Sequence, residues 1–271
     1  MTTDINWLDL FSYTFFWRAL IACLLAGGIC GLIGPYLSWK NLGLYGAALS
    51  HAALFPIALG LSFHFAYEFA LYPFVLCLSL AIAFFKKKRM ASLDSYLAIF
   101  YSGFMALGIL LLSLFGSGST EMIHYLFGEV LLVSNYDLIL LALMALMLVI
   151  FSYKYKNQLI LESLQYEIAQ VEIKKLNTLE YITYVMIGFC IAASLKIMGI
   201  VLLTSLLMAP TLIAAKFTNS LRAHFILSIG LSCLLACGGL LVAISLDLPS
   251  GASIASLAMT SFFLTSLLPG K

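Results

Sequence analysis

His51 is an ionisable side chain in the middle of a segment apolar enough to lie within a membrane. The segment, GLYGAALSHAALFPIALG, covers residues 43–60. An ionisable group inside a membrane span is a functional-site hypothesis, and neutral imidazole is a common ligand of zinc and related ions. Pro56 removes a backbone hydrogen bond and is expected to bend or break the helix just after His51. The alternative is a histidine hydrogen-bonded to a neighbouring helix as part of the packing.

Other potential metal ligands are scattered along the chain. An acidic outer surface would concentrate cations, and four side chains are candidates for its entrance, although each could be an ordinary loop residue: His64, Glu68, His124 and Glu129. Cys233 and Cys237 share a helix face and could ligate a soft metal, or serve as small packing residues within the membrane.

The composition requires a membrane around these residues. The chain of 271 residues is 63% hydrophobic and only 10% charged, whereas a soluble domain carries about 25% charged residues. We therefore expect one polytopic, all-α transmembrane domain over residues 1–271. Since a crossing needs about 20 apolar residues, we place about nine spans, which begin and end near 18–38, 44–64, 68–85, 93–115, 135–152, 178–196, 199–216, 224–246 and 250–268.

Basic residues predict the orientation of the chain in a cell membrane. With the run 86–89 (KKKR) in the cytoplasm and alternating spans, all but Arg18 and Lys196 of the 14 basic residues lie on the cytoplasmic side. This bias follows the positive-inside rule. It predicts an outside N-terminus and a cytoplasmic C-terminus.

Two segments are too polar to span. Residues 116–137 are predicted on the outer side, as a short re-entrant or surface helix, and residues 154–177 on the cytoplasmic side. In the second segment, apolar residues recur at helical spacing from Leu161 to Val171, which predicts an amphipathic helix. Its acidic character argues against binding to anionic lipid and favours a protein partner.

The sequence lacks the motifs of several classes of enzyme. The chain contains no GxxxxGK[ST] phosphate-binding loop, no HExxH and no GxSxG. The predicted spans also contain few convergent polar groups, so a membrane enzyme is disfavoured. Nothing indicates a nucleic-acid partner or a permanently bound cofactor.

Four segments in the same order resemble the membrane permeases of zinc and manganese ABC importers, the ABC-3 family. They are GLYGAALSHAALFPIALG, YLFGEVLLVSNYDL at 125–138, KIMGIVLLTSLLMAPTLIAAKF at 196–217 and DLPSGAS at 247–253. The resemblance implies a permease fold of the type II importer class with about 8–9 spans, working as a homodimer. It also implies a cytoplasmic ATP-binding subunit and an extracytoplasmic metal-binding protein as partners, with transported Zn²⁺ or Mn²⁺.

The resemblance also implies roles for individual residues. His51 would be a ligand on the translocation path. The cytoplasmic helix would couple to the ATPase through Glu162, Leu164, Glu167, Ile168, Ala169 and Val171. One departure is clear: the family signature has an aspartate four residues before the histidine, and this chain has Ala47. Two alternatives follow, namely another substrate such as iron or an iron chelate on the same fold, or an ATP-independent secondary transporter.

Overall fold

The computed structural model describes residues 13–88, 93–115, 125–128 and 130–268, with the side chains of residues 87 and 88 left out. The described residues form α-helices and one 3-10 turn, Val130–Leu132. The helices are α1 (Thr14–Trp39), α2 (Gly43–Ala52), α3 (Leu54–Ser62), α4 (Glu68–Lys88), α5 (Leu93–Phe115), α6 (Asn135–Lys154), α7 (Lys156–Leu164), α8 (Tyr166–Glu172), α9 (Leu176–Phe217), α10 (Leu221–Leu246) and α11 (Ser250–Leu267).

Eight helical segments in the described part of the chain are long and apolar enough to cross a membrane. The predicted spans 178–196 and 199–216 lie on either side of Gly199 in α9. The backbone leaves helical geometry there, with φ 75° and ψ 172°, so two helices meet at a kink. Lys196, near the end of the first of these helices, pairs with Asp137, whose Oδ1 lies 2.9 Å from its Nζ.

The chain divides into two compact units. One consists of Met1–Gly34, His124–Ala145 and Ala193–Lys271, and the other of Pro35–Ile123 and Leu146–Ala192. Within the first unit α11 packs against α10 and the 3-10 turn. Within the second unit α5 packs against α2, α3 and α4. The single domain expected over residues 1–271 remains a prediction.

The segment around His51 bends at Ala53 without unwinding. Helix α2 ends at Ala52 and α3 begins at Leu54, but Ala53 keeps φ −63° and ψ −18°, which are helical values. Pro56 lies in the first turn of α3, where its missing N–H does least harm. The two helices are separated only at Ala53, and together they form one span-length segment.

The predicted amphipathic helix of the polar segment 154–177 is two helices, so the prediction of one continuous helix is wrong. Helices α7 and α8 are separated at Gln165, whose φ of −137° and ψ of 70° are not helical. Glu162 of α7 and Ala169 of α8 are both buried.

Candidate functional site

The imidazole of His51 packs against an aromatic ring and leaves one nitrogen without a partner. Its centroid lies 4.3 Å from that of Tyr101 on α5, edge to face at 60°. Nδ1 is buried and has no hydrogen-bond partner among the described residues. Burial of a polar atom without a partner is unfavourable, so this nitrogen fits a transient ligand better than packing by hydrogen bonding. Ala47, one turn earlier on the same face, is half-buried.

The predicted outer entrance is only partly described. His64 is exposed in the connection between α3 and α4, with a left-handed φ of 55°, and the half-buried Glu68 begins α4. His124 and Glu129 lie outside the described residues. The connection is about 20 Å further along the chain's helical path than His51, at 1.5 Å per residue.

No resident metal centre is visible in the part of the chain that the structure describes. Among those residues, no three or more His, Cys, Asp or Glu side chains form a group that could hold a metal ion. Cys233 and Cys237 are half-buried free thiols, and Cys233 Sγ lies 3.5 Å from the carbonyl oxygen of Leu24. That contact fits their packing role.

Helices α7 and α8 present apolar side chains to their surroundings although they belong to no span. Leu164 and Ile168 are each 51% exposed and Val171 is 88% exposed. Glu167 beside them is exposed too. An exposed apolar group on a polar segment is typical of a surface that another protein covers. The other two residues predicted to couple, Glu162 and Ala169, are buried at 2% and 0%.

Beneath this surface lies a buried network of charges. Lys40 Nζ contacts Glu162 Oε1, and Lys86 Nζ contacts Glu180 Oε1. Lys40 Nζ also lies 3.8 Å from Glu180 Oε1. The Tyr36 hydroxyl donates to Glu162 Oε2 at 3.2 Å. Glu162 is thus turned inward and held by Tyr36 in the last turns of α1 and by Lys40, which follows that helix.

Burial disfavours the charged forms at the centre of this network. It lowers the pKa of Lys40 to about 8, although the negative charge of Glu162 opposes the shift. Burial also raises the pKa of Glu162, against the opposing effect of Lys40. Each of the two groups therefore favours the charged form of the other, against the effect of burial.

The glycines of three sequence segments meet in the first unit. A Cβ atom on Gly251 would lie 1.6 Å from the carbonyl oxygen of Phe127, and one on Gly128 would lie 2.3 Å from the carbonyl carbon of Met198. The segments are YLFGEVLL, KIMGIVLL and DLPSGAS. Nearby, the Ser134 hydroxyl donates to Asp137 at 2.7 Å, which fixes the carboxylate that pairs with Lys196.

Sequence reasoning missed the buried charge network as a unit. Lys40, Lys86 and Glu180 lie near the ends of predicted spans on the predicted cytoplasmic side, which was the available signal. Their contacts join residues 122 and 94 positions apart. Nothing in the spacing along the chain indicates which acidic residue each lysine contacts.

The sequence and the fold of this chain are similar to those of known membrane transport proteins. The chain is 29% identical over 265 residues to the manganese transport system membrane protein MntC of Listeria monocytogenes, covering 97% of this chain and 93% of that one. It is 27% identical over 239 residues to the high-affinity zinc uptake system membrane protein ZnuB of Haemophilus influenzae, covering 87% and 92%.

A solved structure, PsaBC from Streptococcus pneumoniae in complex with Fab, superposes with a TM-score of 0.83 at 25% identity. The match covers 97% of this chain and 95% of that one. The model of the ABC 3 transport family matches residues 12–269, which include the bent His51 segment, the α7–α8 pair and the three glycine segments. This match over nearly the whole chain confirms the resemblance noted in the sequence, and the chain belongs to the ABC 3 transport family.

Proposed function

We propose that this chain is the membrane-spanning permease subunit of an ATP-binding-cassette importer that moves manganese or zinc into the cytoplasm. Family membership and the eight span-length helices support a permease. The names of the two relatives, one for manganese transport and one for zinc uptake, support a divalent transition metal as the substrate.

The exposed apolar surface of α7 and α8 is the observation that carries the ATP-driven part of the proposal. Leu164, Ile168 and Val171 would bind a cytoplasmic ATPase subunit, with Glu167 at the edge of the contact. The chain has no phosphate-binding loop of its own, so ATP hydrolysis is assigned to that partner. Glu162 and Ala169 would support this surface from below.

The remaining partners complete a transport path across the cell membrane. An extracytoplasmic metal-binding protein would deliver the ion to an outer entrance near His64, Glu68, His124 and Glu129. Two copies of the chain would form the path. The charge bias predicts α7 and α8, with the C-terminus, in the cytoplasm and the N-terminus outside. This orientation needs an odd number of crossings, so the two halves of α9 on either side of Gly199 would cross the membrane separately.

His51 is proposed as a transient ligand on this path. An importer must release the ion that it binds, so few ligands and weak binding are expected, in contrast to a closed tetrahedral site. The partnerless Nδ1 atom supports this role. Ala47 supplies no carboxylate next to it, so a second ligand would come from elsewhere on the path or from the second copy.

The test is the metal content of cells that lack this chain, complemented with wild type or with an empty vector. If manganese or zinc falls and wild type restores it, the proposal stands. If only iron falls, the alternative of an iron or iron-chelate substrate replaces it. If metal uptake persists without an associated ATPase subunit, the ATP-independent alternative replaces it.

A further inference from the structure

Four charged side chains meet where the proposed ATPase-binding helices rest on the spanning helices. Lys40 follows the end of α1, Lys86 lies on α4, Glu162 on α7 and Glu180 on α9. The exposed fractions of the side chains are 4% for Lys40, 0% for Glu162, 11% for Glu180 and 25% for Lys86. Two positive and two negative charges are thus withdrawn from water together, with no net charge.

Such a network is a poor device for stability alone. Removing charges from water costs several kcal/mol per ion, and well-packed apolar residues often stabilise a core as well or better. Buried polar groups are best attested where they select one arrangement over another. A role of that kind requires a second arrangement that the side chains of the network can adopt.

Lys40 has two carboxylates within reach. Its Nζ contacts Glu162 and lies 3.8 Å from Oε1 of Glu180. A shift of about 1 Å would bring the second pair to the length of a charge-assisted hydrogen bond. Oε1 of Glu180 is also the atom that Lys86 contacts, so Lys86 would hold that carboxylate in position to accept a second lysine.

Aromatic rings border the space between the two carboxylates. Lys40 Nζ lies 4.9 Å from the ring centroid of Tyr36 and 5.4 Å from that of Tyr184. Lys86 Nζ lies 5.2 Å from the centroid of Tyr166 and 5.5 Å from that of Tyr184. The faces of aromatic rings stabilise cations at these distances, so the ammonium group of Lys40 would stay partly compensated as it moves.

We propose that Lys40 is a positioning residue that links α7 to the spanning helices by exchanging Glu162 for Glu180 during transport. With Lys40 on Glu162, α7 is tied to the end of α1. With Lys40 on Glu180, α7 keeps only the hydrogen bond from Tyr36 to Glu162, and the end of α1 is tied to α9. The inference rests on the proposed function, because it assigns to α7 and α8 the movement that ATP binding would produce.

The experiment uses the purified complex of permease and ATPase subunit, reconstituted in liposomes, with metal uptake and ATP hydrolysis measured together. The variant is Lys86→Met with Glu180→Gln. It keeps the Lys40–Glu162 pair and the charge balance but removes the second partner. Lys156→Met, an exposed lysine on α7, is the matched control.

We expect the double variant to assemble with the ATPase and hydrolyse ATP, while metal uptake per ATP hydrolysed falls at least about tenfold. The control should match wild type. Unchanged uptake per ATP in the double variant would overturn the exchange. If that variant does not accumulate, Lys40→Met with Glu162→Leu, which removes the first pair, must show the same fall. Failure of both to accumulate assigns the network to folding alone and overturns the exchange too.

A different result would contradict the proposed function: the wild-type complex itself would take up no manganese or zinc, or no ATPase subunit would assemble with it. Neither result depends on the side chains of the network.

Discussion

Gly128 and Gly199 lie backbone to backbone, and each occupies a conformation that side chains avoid. A Cβ atom on Gly199 would lie 2.3 Å from the backbone nitrogen of Gly128. Their φ angles are 73° and 75°. With ψ at 172°, Gly199 falls in a region that is essentially restricted to glycine. The kink of α9 at Gly199 and the turn after Phe127 therefore pack so closely that neither glycine leaves room for a side chain.

Replacing Gly199 by alanine should destabilise the protein strongly. Backbone strain at such a position costs on the order of 1–3 kcal/mol, and the contact with Gly128 adds to it. Gly251→Ala, whose Cβ would meet the carbonyl oxygen of Phe127 at 1.6 Å, should act in the same direction. The measurement is the unfolding temperature of the purified permease in detergent, together with its abundance in membranes.

Gly230→Ala is the matched control for these glycine variants. Nothing lies within 4 Å of a Cβ atom at that helical position, and alanine is favoured over glycine in a helix by roughly 0.5–1 kcal/mol. This variant should unfold at the same temperature as wild type or slightly above it. Equal behaviour of Gly199→Ala and Gly230→Ala would mean that the glycine contact does not hold α9.

Hydropathy predicts most of the spans, because a membrane tolerates only long apolar helices. It also predicted the interruption between residues 196 and 199, where the structure has a kink at Gly199. It gave no sign of the pairing of Lys196 with Asp137, because that pairing joins residues that are far apart in the sequence. Gly199, three positions later, was visible as a glycine but not as the point of irregular backbone.

The cytoplasmic segment shows a second limit of the sequence. Apolar spacing correctly indicated helix between Leu161 and Val171, and Leu164, Ile168 and Val171 are exposed as a docking surface requires. The break at Gln165 carries no glycine or proline signal. The inward orientation of Glu162 towards Lys40 likewise carries no signal along the chain.

Removing the imidazole of His51 should reduce metal uptake at matched expression. A ligand on the path is expected to contribute about 1.4 kcal/mol or more, which is tenfold in rate. His51→Ala and His51→Gln should both lose uptake, because an amide can hydrogen-bond but is a poor ligand for these ions. Full uptake by His51→Gln would instead support a packing role. The measurement is initial uptake of labelled manganese and zinc.

Introducing a carboxylate at Ala47 should change which metal is carried. Ala47 and His51 are four positions apart and share a helix face. A carboxylate oxygen is a harder ligand than a nitrogen and suits manganese better than zinc. Ala47→Asp should therefore raise the ratio of manganese uptake to zinc uptake. An unchanged ratio would show that the ion does not pass along this face of α2.

Charge on the exposed surface of α8 should weaken binding of the ATPase subunit without unfolding the permease. Val171→Asp places a carboxylate where the side chain is 88% exposed, and Glu167→Arg reverses a charge at the same surface. We expect copurified ATPase to fall about tenfold, or 1.4 kcal/mol. Lys156→Gln on α7 is the control. Undiminished copurification with normal unfolding temperatures would remove the coupling role of α8.

The buried position of Lys40 should make stability depend on pH in the alkaline range. Its pKa falls from 10.5 to about 8 in the folded chain because burial disfavours the ammonium form. Between these values the unfolded chain binds more protons than the folded one, so the free energy of unfolding rises with pH. The pKa of Glu162 is raised from 4.5, and titration of its free carboxyl in the unfolded chain is complete well below this range.

The comparison is between wild type and Lys40→Met with Glu162→Leu, which lacks both titrating groups. The unfolding temperature of wild type should rise relative to that of the double variant as pH increases from about 8 towards 10.5. Lysines outside the buried network contribute equally to both proteins and cancel. A constant difference across this range would mean that Lys40 keeps its ordinary pKa, and that the pair with Glu162 fully compensates for its burial.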